Sequence, residues 1–126
     1  MKQLTTHAFG HLKDGASRLQ RALAAFAKVF IADGSLVRLH PNLQQYYPSV
    51  WTNHTKAGAK LHVTIDGASR TPAILSIVPG SKHDVTLLSV GPWCKNALLV
   101  FDLAYYQGKL FRKILDQGGH FLCCVK

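Results

Sequence analysis

Two short apolar runs each end on an aspartate, and this constrains the chain more than any other feature. They are VFIAD, residues 29 to 33, and ALLVFD, residues 97 to 102. An apolar run of this length, bounded by polar and turn residues, reads as a buried strand. Aspartate is a poor strand former, and its charge is costly to bury without a partner. Each aspartate is therefore expected where a strand leaves the core. Ligands of α/β sheets bind beyond the carboxyl ends of strands. If the two strands are parallel neighbours, Asp33 and Asp102 converge, and two converging carboxylates repel unless a cation sits between them. Mg²⁺ (or Mn²⁺) takes oxygen ligands and keeps several waters, so two carboxylates and a substrate phosphate suffice. Either aspartate alone would more simply cap a helix or stabilise a turn. The matched pair, 102 − 33 = 69 residues apart, points to a site.

The remaining elements follow from periodicity. Leu19, Leu23, Phe26 and Phe30 are spaced for an amphipathic helix over 16 to 27. Residues 35 to 39 either extend the first strand or turn back. Residues 40 to 58, with Pro41, Pro48 and Gly58, read as a long loop. LHVTID (61–66) alternates as a half-buried strand, GASRTP is a turn, and AILSIV (73–78) returns as a hairpin partner. SKHDVTLLSV (81–90) reads as a short helix with Asp84 at its N-cap. KLFRKILDQ (109–117) places Leu110, Phe111, Ile114 and Leu115 together on a helix, Gly118-Gly119 ends it, and HFLCCV is a last strand. Three early strands, then strand-helix-strand, predict an α/β fold. It is a mixed sheet, a three-strand meander followed by a parallel unit, with flanking helices.

The length of 126 residues suits one core. Residues 1–27 are expected as an N-terminal helical segment and 28–126 as the sheet domain. Fifteen Lys and Arg against six acids give a net charge of +9, which favours polyanions, nucleic acid foremost. No apolar run reaches the roughly 20 residues of a membrane helix, and no signal-peptide core is present. A cytoplasmic, nucleoid-associated protein is the expectation. The cysteines, Cys94, Cys123 and Cys124, form no C-x-x-C pair, so zinc and a disulfide framework are not indicated. The loop carries Tyr46, Tyr47 and Trp51 among His54, Lys56 and Lys60. Rings interleaved with bases can stack on nucleic acid, or they anchor the loop to the core. His62 alternates with Leu61 and Val63, so it is expected to point away from them, toward DNA or solvent. His83 is read as a loop or site-edge residue.

Four stretches in order carry a family likeness: FIADGS (30–35), KAGAKLHVTID (56–66), VPGSKHD (78–84) and FDLAYYQGKLFRKILDQGGHFLCCVK (101–126). Together they make the chain resemble bacterial DDE transposases of the fourth insertion-sequence type, whose catalytic core is ribonuclease H-like. The resemblance implies that Asp33 and Asp102 are the first two catalytic acids, that they hold divalent metal, and that the substrate is DNA. It implies DNA transposition by metal-dependent strand cleavage and transfer. It also implies a third acid, a glutamate on a later helix. All six acids of this chain are aspartates, so a partial catalytic domain with weak or no cleavage is expected. Ala104 and Cys124 stand where the family often has glycine and arginine. Candidate DNA contacts are Lys56, Lys60, His62, Lys82, Tyr106 and Lys126.

Two other readings stand beside this one. The chain could be a non-catalytic basic DNA-binding module, or a nuclease of the same fold that needs only two acids. In every case a sheet without later helices is expected to leave an apolar face open. The partners are then DNA, a second copy of the chain, or a full-length transposase.

Overall fold

The computed structural model describes residues 18–50 and 56–123. They form a five-stranded mixed sheet: β1 (Lys28–Arg38), β2 (Gly58–Asp66), β3 (Thr71–Pro79), β4 (Ala97–Phe101) and β5 (His120–Cys123). The spatial order is β3-β2-β1-β4-β5. β1, β2 and β3 are an antiparallel meander, while β4 lies parallel to β1 and β5 parallel to β4. The expected meander and strand-helix-strand unit are both present. A short helix, α1 (Asp84–Leu87), precedes β4, and α2 (Gly108–Asp116) crosses from β4 to β5.

Local chemistry explains the connections. Between β2 and β3, the Asp66 carboxylate accepts from the backbone N–H of Ala68 at 2.9 Å and of Ser69 at 3.3 Å. This is the Asx geometry that turns favour. α2 ends as its glycines predict. Gly118 has φ +71, its N–H donates to the Leu115 carbonyl, and Gly119 N–H donates to the Ile114 carbonyl, both at 2.9 Å. These two bonds make a Schellman motif.

One face of the sheet is covered. Phe30 and Ala32 of β1, Leu99 and Phe101 of β4, Tyr105, and Leu110 and Ile114 of α2 are buried together. Phe111 and Phe121 stack at 4.3 Å beside Phe101, and Trp93 meets Phe30 edge-on at 5.0 Å. The opposite face is open among the described residues. Ile31, Val37, Leu75, Ile77 and Leu122 are all exposed there, Ile77 by 63%. Leu98, on the same side by alternation, is buried.

Several boundaries differ from expectation. Helix is present at 18–23 but does not reach 27. Ala27 instead donates to the Asn96 carbonyl at 2.9 Å and leads into β1. β1 extends to Arg38, because its ladder with β2 continues through Arg38↔Gly58. The helix expected over 81–90 is one turn, Asp84–Leu87. His83 holds the N-cap position, Asp84 is the first helical residue, and no side chain caps it. On α2, Leu110 and Ile114 are buried but Leu115 is exposed. Five residues at 3.6 per turn carry Leu115 about 140° around the helix from Leu110. The expectations for residues 1–17, Trp51, His54, Cys124 and Lys126 lie outside the described residues.

Candidate active site

β1 and β4 are parallel neighbours, as a convergent pair of aspartates requires. Their last paired residues are Ile31 and Val100. Asp33 and Asp102 each lie two residues further on, so the register puts them at the same level. Asp33 lies within β1 and follows its alternation, while Asp102 is the first residue past β4. Phe30, Ala32, Leu99 and Phe101 point into the covered core. Residues 31, 33 and 100 therefore face the open side. Adjacent strands lie about 4.8 Å apart, so the register brings the backbone positions of the two residues to one level on neighbouring stretches of chain. Both residues are exposed.

The two differ in local support. Asp102 follows the last residue of β4. It is the N-cap of a 3₁₀ turn (Leu103–Tyr105), and its Oδ1 accepts from Ala104 N–H at 3.0 Å. Its carbonyl accepts from the Cys123 thiol at 3.3 Å, which ties the site to β5. Asp33 does not end its strand as expected; it lies within β1. What ends near it is the β1–β4 ladder, while pairing with β2 continues. The charge is tolerated because it lies on the open face. Its Oδ1 accepts from Gly34 N–H at 2.8 Å.

Behind this face lies a polar interior that the alternation of β2 did not suggest. His62 was expected to point toward DNA or solvent. The structure buries it, at 1% exposure, together with Thr64. The side chains of Leu61, Val63 and Ile65 fall on the open face and are half-exposed. His62 lies opposite Gly34 in the ladder and Thr64 opposite Ala32. Tyr105 completes the wall, its ring 5.9 Å from that of His62. Burial lowers the His62 pKa from its ordinary value, and the nearby Asp84 and Asp33 oppose this. Burial, then the charges of Asp84, Asp33 and Asp102, hold the Tyr105 hydroxyl well above the ordinary phenol range. Three of the six aspartates thus act on one tyrosine.

The other candidate residues separate by exposure. Lys56, Lys82 and Tyr106 are exposed and available to a polyanion. Lys60 is not: its side chain is 14% exposed, and its Nζ donates to Asp84 Oδ2 at 3.1 Å and to the Lys82 carbonyl at 2.7 Å. Lys60, Lys82, His83 and Asp84 line a cleft of about 530 Å³ that reaches Gly34. Asp116 is exposed on α2. Among the described residues no three His, Cys, Asp or Glu side chains converge as metal ligands. The two carboxylates at one level are a donor set that fits a hard cation sharing water and phosphate oxygens. Sequence reasoning passed over Thr64 and Tyr105 and gave Asp84 to a cap. The signal for Lys60, His62 and Thr64 was their common parity on β2.

A family model described as a transposase DDE domain matches residues 24–126. No curated protein and no solved structure matches the chain. No helix among the described residues is long and apolar enough to cross a membrane.

Proposed function

The chain belongs to the transposase DDE domain family, and from that premise we propose that Asp33 and Asp102 are its metal-holding carboxylates. The family's process is DNA transposition, and its α/β sheet is consistent with a ribonuclease H-like core. One observation carries the assignment: both aspartates lie two residues past the last pair of adjacent parallel strands, at one level of the sheet. A bound Mg²⁺ or Mn²⁺ supplies activation of water or a 3′-hydroxyl and charge stabilisation at the leaving oxygen of a DNA phosphodiester. The chain's own part is to hold those charges at a fixed spacing and to bring DNA to them. Ala104 N–H orients the Asp102 carboxylate and Gly34 N–H that of Asp33. Lys56, Lys82 and Tyr106 are the proposed contacts to the DNA backbone. Lys60 acts inside the protein, through Asp84. The chain has no glutamate, and the proposed site draws on two carboxylates, so the chain alone is proposed to cut DNA weakly or not at all.

The second reading, a non-catalytic basic DNA-binding module, is favoured by the +9 charge. Two titrations separate them. Under the first reading, isothermal titration shows Mn²⁺ binding that Asp33→Ala and Asp102→Ala each abolish, with DNA affinity little changed. Under the second, the wild type binds DNA but no Mn²⁺. In both, Lys56→Ala with Lys82→Ala weakens DNA binding and lowers the slope of log K against log salt by about 2.

A further inference from the structure

Among the described residues, five side-chain polar atoms are buried on the covered side and have no hydrogen-bond partner: both ring nitrogens of His62, Thr64 Oγ1, Asp84 Oδ1 and the Tyr105 hydroxyl. His62, Thr64 and Tyr105 are each 1% exposed. Two of the five atoms, on Asp84 and Tyr105, lie beside one backbone position, Gly34. A Cβ added at Gly34 would collide with Asp84 Oδ1 and lie 3.7 Å from the Tyr105 hydroxyl. His62 sits opposite Gly34 in the ladder, and Thr64 is on the same face one step along. The other Asp84 oxygen is taken by Lys60.

Leaving such atoms unpaired forfeits their hydration without replacement and is destabilising. Native proteins meet that cost with ordered water where several polar groups face one small space. The chemistry selects the ligand. Asp84 only accepts, so the ligand must donate. Tyr105 and Thr64 carry hydroxyl protons, so it must also accept. Neutral His62 offers one donor and one acceptor. An anion would meet the Asp84 carboxylate, and a metal ion would find only His62 and Asp84 as ligands.

We propose that His62, Thr64, Asp84 and Tyr105 hold one or more internal water molecules that position Gly34 and, through it, the Asp33 carboxylate. Gly34 is the link because its N–H donates to Asp33 Oδ1 while, on the covered face, Asp84 Oδ1 occupies the space that a Cβ at Gly34 would need. Asp84, clamped by Lys60, and Tyr105 are positioning residues. The effect on metal binding rests on the assignment of Asp33 made above; the water site does not.

The test uses the full chain. Water ¹⁷O magnetic relaxation dispersion reports long-lived internal water directly. A long-lived signal is expected in the wild type, reduced in Tyr105→Phe and in Thr64→Val, with a shifted Gly34 amide resonance in both. No long-lived water in the wild type would overturn the proposal, as would a signal and a Gly34 amide that neither variant alters. Mn²⁺ titration adds a reading that stability alone does not move. Tyr105→Phe removes no charge, and it is expected to weaken Mn²⁺ affinity several-fold without lowering the metal-free melting temperature. Unchanged affinity would refute the positioning role. If the wild type binds no Mn²⁺, the assignment of Asp33 fails instead, and the water signal and the Gly34 amide still decide the proposal.

Discussion

Replacing Asp33 by asparagine should make the metal-free protein more stable and the metal-bound protein less stable than wild type. Asparagine keeps an oxygen for Gly34 N–H, so the substitution removes little but charge. Two unit charges about 6 Å apart interact by ~0.7 kcal/mol at the dielectric of water, and by twice that at half its value. Asp33 and Asp102 are exposed, so the lower end applies and the repulsion relieved is ~0.7 kcal/mol. For a domain of this size that raises the midpoint by about 3 °C. Saturating metal reverses the order. At free Mn²⁺ a hundredfold above its dissociation constant, the wild type gains about 2.7 kcal/mol by mass action, and Asp33→Asn gains almost nothing. Thermal unfolding by circular dichroism, in EDTA and in Mn²⁺, reads both signs. Raising the salt from 50 to 500 mM should shrink the metal-free difference, because exposed charges are screened. Asp116→Asn, on α2, is the control and should respond to neither. The reasoning fails if Asp33→Asn is the less stable protein in EDTA, or if Mn²⁺ stabilises it as much as wild type.

Other expectations concern acid, the core, the helix end and the open face. His62 titrates below the ordinary value of 6.5 because it is buried, so the unfolded chain binds its proton more readily than the folded one. Its contribution is intact above pH 6.5 and is lost as the pH falls from there toward the lowered folded value; His62→Leu should flatten the fall of the urea midpoint between pH 7 and pH 5. Ile114 is fully buried, so Ile114→Ala should cost about 3 kcal/mol in urea unfolding. Gly118→Ala should cost about 1 kcal/mol, because a left-handed backbone is strained with a Cβ. Ile77→Lys, on the open face, should change stability by less than about 0.5 kcal/mol and reduce self-association in sedimentation velocity.

The strands were legible wherever apolar runs met turn residues; the parallel pairing of β1 with β4 was only a condition in the sequence, and the fold supplies it. The DDE transposase likeness carried by the four short stretches agrees with the family that residues 24–126 match. What misled was the direction of β2. Alternation distinguishes two faces but does not say which one is covered. Leu61, Val63 and Ile65 look like the buried set, yet the helices pack on the side of Phe30 and Leu99, and that side takes His62 and Thr64. Asp84 was misread for a related reason. An aspartate before a helical pattern is an ordinary cap, and only the fold shows that Lys60, on β2, reaches its carboxylate. Leu115 shows the limit of counting apolar residues on a helix without following their angle.

The parallel junction of β1 with β4 also sets the order in which this molecule can be made. Ile31 pairs with Val100, 100 − 31 = 69 positions later in the chain. At a synthesis rate of about 5–20 residues per second, β1 waits roughly 3–14 seconds for its neighbour to be made. The antiparallel meander can close meanwhile, with one side of β1 still bare. Asp33 is therefore synthesised before Asp102 exists. The β1–β4 ladder can close only after β4 has been made, so closure of the sheet and the levelling of these two positions are one late event.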